Sequence, residues 1–86
     1  MTPDADLQAA AEEELGHAAA ITWRELSKCM PWGDTYEGIS PGGRTISLER
    51  AYVWADQPGG DILCEVTAYD AQRFEHGAKR TRLIRR

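Results

Sequence analysis

The sequence predicts an α+β fold in which an N-terminal helix or helix pair packs on one face of a three- to four-stranded antiparallel meander. Three observations favour this fold. The first third of the chain is rich in alanine, leucine and glutamate, which suit a helix. From residue 35 onward the apolar residues recur with a period of two, as in strands. Two Pro-Gly-Gly triplets, residues 41–43 and 58–60, separate the strand segments as turns.

The first helix is expected over residues 4–20. Thr2 can cap its first turn, and Pro3 suits the first helical position because a proline lacks an N–H that would need a partner there. Gly16 either ends this helix or only weakens it. The apolar stripe consists mostly of alanine, so a frayed helix over residues 1–20 is the alternative.

A second helix is expected over residues 23–30. Thr22 followed three residues later by Glu25 fits a capping box, which marks a helix start. Pro31 then stops the helix because it cannot continue the hydrogen-bond ladder. The segment Trp32-Gly33-Asp34 is predicted to be a loop before the first strand.

Strands are expected over residues 35–40, 44–55 and 62–69. If each Pro-Gly-Gly triplet forms a three-residue loop, the last glycine takes a left-handed conformation and the loop length sets which side chains share a face. The apolar side chains then fall together on one face: Tyr36, Ile46, Leu48, Tyr52, Trp54, Ile62, Cys64 and Val66. Such a sheet buries one side under the helices.

The same loop lengths predict individual pairs across the sheet. They set Tyr36 opposite Leu48 and Trp54 opposite Cys64. Residues 71–77 are expected to form a turn or one helical turn, ended by Gly77. Residues 78–85 then form either a fourth, edge strand or a loose tail.

Arg50 interrupts the apolar face, and a charge on a buried side needs partners. In the predicted register it lies opposite Asp34 and diagonal to Asp70. We interpret the three residues as a structural ion pair at the rim of the sheet, with Arg50 stacked on an aromatic ring. The alternative is an arginine that receives an anionic ligand, although neither glycine-rich turn matches a phosphate-binding motif.

Charge is unevenly distributed along this chain of 86 residues, whose net charge is −4. Residues 1–15 contain five acids and no base, whereas residues 79–86 contain five bases and no acid. These bases are candidate binding residues: Lys79, Arg80, Arg82, Arg85 and Arg86. They can contact nucleic-acid phosphates, guard an edge strand against pairing, or contact the acidic first helix.

Trp32 is a second candidate binding residue, because tryptophan is enriched at the energetic centres of interfaces. Its position after Pro31 in a predicted loop favours contact with a partner. The alternative is that its large apolar ring covers the core.

Composition limits the function and location further. Histidines and the two cysteines, Cys29 and Cys64, lack metal-ligand spacing, and no acid pair is arranged for acid–base catalysis. We therefore expect no metal, no cofactor and no enzymatic activity. The acidic start does not resemble a signal peptide, and no apolar run approaches a membrane span. A cytoplasmic protein with free thiols is expected.

These observations predict one small domain over residues 1–86 that acts as a non-enzymatic protein-binding or self-associating module. Its partner would be another protein or its own copy, as in a homodimer. The alternative is a nucleic-acid-associated regulator that contacts phosphates through the basic residues 79–86.

Overall fold

The computed structural model describes residues 2–86, except for the side chains of residues 73–75. It confirms the predicted α+β class: a helix packs on one face of a four-stranded antiparallel sheet with strand order β1-β2-β3-β4. The elements in chain order are α1 (Pro3–Ala18), α2 (Trp23–Leu26), β1 (Trp32–Ile39), β2 (Thr45–Trp54), β3 (Ile62–Asp70) and β4 (Arg73–Ile84).

Helix α1 begins as its sequence predicts. The Thr2 hydroxyl accepts a hydrogen bond from the Ala5 N–H at 3.1 Å, and Pro3 occupies the first turn. The helix ends at Ala18, two residues earlier than expected, and Gly16 lies inside it. Small side chains let α1 lie close to β3 and β4, and its buried stripe consists of Leu7, Ala10, Ala11, Leu15 and Ala18.

Helix α2 is a single turn and does not extend over residues 23–30 as expected. The Thr22 hydroxyl caps it by accepting from the Glu25 N–H at 3.3 Å. Beyond Leu26 the chain makes tight turns, in which the Lys28 N–H donates to the Glu25 carbonyl at 3.3 Å and the Cys29 N–H donates to the Leu26 carbonyl at 3.0 Å. Leu26 is buried and fixes the helix to the core.

The predicted loop at residues 32–34 was wrong. These residues are the first part of β1, and Trp32 pairs with Tyr52 of β2. The strand therefore starts directly after Pro31. A loop was expected because glycine is common in turns. The pairing with β2 instead continues through Gly33, which lies opposite Ala51.

The predicted apolar face of the sheet is confirmed. Most of its members are buried, and Tyr36 and Trp54 are partly buried against the same core. The buried members are Ile46, Leu48, Tyr52, Ile62, Cys64 and Val66. The opposite face carries exposed or half-buried side chains along all three of the predicted strands.

The first Pro-Gly-Gly triplet forms the expected three-residue loop between β1 and β2. The Ser40 N–H donates to the Arg44 carbonyl at 2.8 Å and closes it. Gly43 has a φ of +85°, which is the left-handed conformation expected of the last glycine. The predicted pairing of Tyr36 with Leu48 is confirmed.

The second triplet lies in a longer loop than expected. The Ala55 N–H donates to the Asp61 carbonyl at 2.9 Å, so the ladder closes outside the triplet. The positive φ belongs to Gly59 and not to the last glycine. Trp54 consequently lies opposite Ile62, and the predicted pairing with Cys64 was wrong by two residues. An even shift leaves every side chain on its predicted face.

Strand β4 starts at Arg73, so the turn or helical turn expected over residues 71–77 was wrong. The turn is confined to residues 71–72, where the Asp70 carboxylate accepts from the Gln72 N–H at 2.9 Å. The ladder is irregular between Tyr69 and Asp70. Of the two alternatives for residues 78–85, the edge strand is the one observed, and it ends at Ile84.

Candidate protein-binding surface

The outer strands β1 and β4 are the two edges of the sheet. Hydrogen-bonded pairs alternate along an antiparallel ladder. The Ser40–Arg44 bond sets the phase for β1, so its even-numbered residues bond to β2. The odd-numbered residues therefore direct their N–H and C=O groups away from the sheet: Gly33, Thr35, Glu37 and Ile39.

The β1 edge combines apolar side chains with negative charge. Trp32 at its start is 38% exposed, and Ile39 at its end is 70% exposed. Between them lie the acids Asp34 and Glu37, and β1 contains no basic residue. Because α1 packs mainly on β3 and β4, a groove of about 200 Å³ opens on the inner face beside β1, with Tyr36 among its lining residues.

Trp32 contacts the core with part of its ring and is exposed over the rest. Its ring centroid lies 5.3 Å from that of Tyr52, whose hydroxyl donates to the Ala18 carbonyl at 2.7 Å. The Arg50 guanidinium lies 5.4 Å from the Trp32 ring centroid. One side of the indole therefore covers the core while the remainder is open at the sheet edge.

Arg50 is held by surrounding groups. Its Nε donates to Asp34 Oδ1 at 2.7 Å, its Nη2 donates to Asp34 Oδ2, and its Nη1 lies 3.7 Å from a Glu14 carboxylate oxygen. The hydrogen bond lowers the pKa of Asp34 and raises that of Arg50. Burial and the Glu14 carboxylate raise the pKa of Tyr36, whose ring lies 5.0 Å from the guanidinium. These contacts occupy the guanidinium and fix the strand face beside Trp32.

Asp70 does not belong to the Arg50 cluster. It forms an ion pair with Arg44, at the far end of β2 from Trp32. The expectation that Asp70 lies diagonal to Arg50 was wrong because the register of β3 is shifted by two residues, which sets Val66 opposite Arg50.

The first two candidate bases of β4 are paired within the chain. Lys79 Nζ lies 3.0 Å from a Glu65 carboxylate oxygen on the outer face. Arg80 Nε lies 3.0 Å from a Glu12 carboxylate oxygen, so the basic strand does contact the acidic helix α1. Both pairs are partly exposed to solvent, and such pairs contribute little to stability.

The remaining bases continue towards the end of the chain. The Arg86 N–H donates to Asp61 Oδ1 at 2.9 Å, and its guanidinium lies 5.3 Å from the ring centroid of Trp23. Arg82 and Arg85 are exposed, and no acidic group of the described side chains lies within ion-pair distance of either. The five candidate bases do not share one face of the sheet, because Lys79 lies on the outer face and Arg80 and Arg82 lie on the inner face.

Sequence reasoning missed Thr35, Glu37 and Ile39 as edge residues. The signal was present, because the first and last strands of a meander are its edges. The alternation of the sequence also sets Val53 and Leu63 on the outer face, but it did not reveal that they form an apolar row with Leu83 across three strands. This row ends at the β4 edge with Leu83, which is 40% exposed.

Other kinds of site have less support. Cys64 is buried, which raises the pKa of its thiol, and Cys29 is exposed. Within the described part of the chain, no three His, Cys, Asp or Glu side chains are grouped so that they could hold a metal ion. None of the described helices is long and apolar enough to cross a membrane.

Comparison with models of known protein families, with curated proteins and with solved structures finds no match to this chain.

Proposed function

We propose that the protein is a small, non-enzymatic protein-binding module that takes up an extended strand of its partner along β1. The observation that carries this proposal is the open β1 edge, which has an exposed apolar side chain at each end and no basic residue. Natural sheets commonly protect edges with lysine and other charged residues. Strand β4 carries such bases, which oppose pairing with another basic edge, whereas β1 carries none.

Strand addition would use the backbone groups that β1 directs outward. A partner strand would bond to Gly33, Thr35, Glu37 and Ile39, which provides affinity that depends little on sequence. Specificity would come from side chains at the two ends and from the inner-face groove beside Tyr36. The Arg50–Asp34 pair would hold β1 in a fixed register on β2, so little ordering is needed on binding.

The test replaces Thr35 by proline. The Thr35 N–H points outward, so proline removes a donor for the partner without removing a bond to β2. Thr35→Val is the matched control because it retains the N–H and suits a strand. Both variants and the wild-type chain are immobilised and exposed to an extract of the native host, and the captured proteins are quantified by mass spectrometry.

We expect a set of proteins to be captured by the wild-type chain and by Thr35→Val, and to be reduced at least tenfold with Thr35→Pro. Circular dichroism establishes that the proline variant retains its fold. Equal capture by the folded proline and valine variants would contradict binding at β1.

Nucleic-acid binding is the second candidate, and it is favoured by the exposed guanidinium groups of Arg82 and Arg85 beside Arg86. The ion pairs of Lys79 and Arg80 weaken it, because phosphates would have to compete with Glu65 and Glu12. Fluorescence anisotropy with labelled DNA and RNA at about 50 mM salt tests it, since phosphate contacts are strong there. Absence of binding under those conditions would exclude this candidate.

A further inference from the structure

We propose that β1 pairs antiparallel with β4 of a second copy of the chain, so that copies join head to tail into a continuous sheet. This inference rests on the proposed function, because it names the strand that β1 takes up. It follows from three properties of the two edges: the phase of their backbone groups, their length and their charge.

The phase of the two edges is compatible. In β4 the even-numbered residues bond to β3, so Gly77, Lys79, Thr81 and Leu83 direct their N–H and C=O groups outward. The β1 edge also offers its odd-numbered residues. Hydrogen-bonded pairs therefore form when an odd residue of one edge faces an odd residue of the other.

The regularly paired parts of the two edges have the same length. Strand β4 is longer than β1, but its pairing with β3 is regular only from Gly77 to Ile84, a span that equals the span from Trp32 to Ile39. Aligning these spans antiparallel puts Thr35 opposite Thr81 of the second copy and joins all four outward positions of each edge. The same alignment keeps both outer faces on one side, so the apolar inner faces also continue.

Charge is complementary in this register. On the outer face, Glu37 lies opposite Lys79 of the second copy and would join the pair that Lys79 makes with Glu65. On the inner face, Asp34, which is paired with Arg50, lies opposite Arg82 of the second copy. Glu37 and Arg82 are exposed, and neither has an ion-pair partner among the described side chains. At one end, Trp32 lies opposite Ile84 of the second copy and gains apolar contact. Opposite charges facing each other across strands are favourable.

Pairing of like edges is less favourable. Two β1 edges would bring Asp34 and Glu37 of both copies together, and two β4 edges would bring the bases of both copies together, which is repulsive. Pairing of unlike edges leaves a free β1 on one copy and a free β4 on the other. Such a contact does not close at a dimer and allows further copies to add.

The experiment blocks one edge at a time. Thr35→Pro blocks β1 and leaves β4 intact, whereas Thr81→Pro blocks β4, because the Thr81 N–H also points outward. Thr35→Val and Thr81→Val are the matched controls. Each protein is studied by sedimentation velocity at low ionic strength, alone and in an equimolar mixture of the two proline variants.

We expect the wild-type chain and both valine variants to show a mass that rises with concentration beyond that of a dimer. Each proline variant alone should remain a monomer. Their mixture should form a complex of one copy of each and stop there, because each contributes its only open edge. Circular dichroism verifies that the proline variants are folded.

Two outcomes would overturn the inference. A wild-type chain that stays monomeric at high concentration and low salt shows that copies do not join, while β1 remains open to another protein in the capture experiment. A Thr81→Pro variant that dimerises alone shows that β1 pairs with itself, so the head-to-tail arrangement fails although the protein-binding function of β1 stands.

A charge exchange gives a second, independent readout. Glu37→Lys alone and Lys79→Glu alone should each lose association, because like charges then face each other in the contact. Mixing the two variants should restore association, since lysine at position 37 of one copy meets glutamate at position 79 of the other. Failure of the mixture to associate, with the wild-type chain associating, would contradict the proposed register.

Discussion

The two Pro-Gly-Gly turns share a tripeptide but differ in structure. The turn between β1 and β2 is a three-residue loop with the left-handed residue at its last glycine, Gly43. The turn between β2 and β3 is longer, and its left-handed residue is the middle one, Gly59. The tripeptide therefore determines that the chain turns, whereas contacts outside the tripeptide determine where the ladder closes.

Different groups hold the two turns. In the first, the buried Asp6 carboxylate accepts from the Ser40 hydroxyl at 2.5 Å and from the Gly42 N–H at 2.7 Å. Helix α1 thereby fixes the loop between β1 and β2 through the Asp6 side chain. In the second, the Trp23 indole Nε1–H donates to the Gly60 carbonyl at 2.8 Å. The first turn is thus bound to α1 through a carboxylate, and the second turn is bound to α2 through a single neutral hydrogen bond.

Removal of the Asp6 carboxylate should have the largest effect. Asp6→Ala leaves the Ser40 hydroxyl and the Gly42 N–H without their acceptor in a site that is 2% exposed in the native chain. We expect the free energy of unfolding to fall by about 3 kcal/mol, measured by urea denaturation. Asp6→Asn, which keeps one acceptor, should lose less. A loss below about 1 kcal/mol for Asp6→Ala would show that the carboxylate does not fix this turn.

Gly42→Ala tests how closely the first turn approaches the helix. A Cβ at this position would lie 2.9 Å from Asp6 Oδ1, so we expect a loss of about 2 kcal/mol. Gly16→Ala inside α1 is the control, because an added Cβ there would meet no atom within 4 Å. In the Asp6→Ala background the cost of Gly42→Ala should largely disappear. A cost that persists there would contradict the clash.

Gly43→Ala and Gly59→Ala measure the cost of the left-handed backbone conformation without any steric clash. Both glycines have a φ of +85°, and an added Cβ would meet no atom within 4 Å at either position. Each substitution should lower the free energy of unfolding by about 1–2 kcal/mol, because an L-residue is strained at that φ. The two losses should agree within about 0.5 kcal/mol, as expected for sites that share one mechanism. Clearly unequal losses would show that context matters even where space is open.

Trp23→Phe should have the smallest effect and should act on the second turn. It removes the hydrogen bond to the Gly60 carbonyl, which is worth about 1 kcal/mol for a neutral donor and acceptor. Trp32→Phe is the control, since the described structure gives the Trp32 indole nitrogen no hydrogen bond. Equal losses of stability for the two variants would show that the Trp23 bond adds nothing beyond ring size.

The fold could be predicted because two local signals agree. Alternating apolar residues identify the faces, and turn residues identify the breaks between strands. The register of β3 was wrong because residues 55–61 contain no feature that separates a three-residue loop from a longer one. The predicted and the observed loop between β2 and β3 both have an odd number of residues, so each side chain still lies on its predicted face. The predicted position of Asp70 relative to Arg50 was nevertheless wrong.

The candidate site was less accessible from the sequence. Trp32 and the bases of β4 were identified by residue type, and contact between the bases and the acidic helix was among the alternatives, as Arg80 and Glu12 show. The pair of Lys79 with Glu65 was not foreseen, because the two residues are distant in sequence. The predicted loop at residues 32–34 hid the first part of the β1 edge, and the rest of the edge was predicted as a strand but was not considered as a binding surface. Whether a strand lies at an edge depends on the topology of the sheet. The type of a residue does not reveal whether its backbone groups point away from the sheet.

The packing of α1 on β3 and β4 has a consequence for synthesis of the chain. During translation the helix segment emerges first, and its alanine-rich stripe has no surface to cover until the last two strands follow. Short isolated helices are marginally stable in water. The nascent segment should therefore remain unstructured while the meander forms behind it, and the helix should dock only after β3 and β4 pair. Folding of this chain would then be completed by its first element and not by its last.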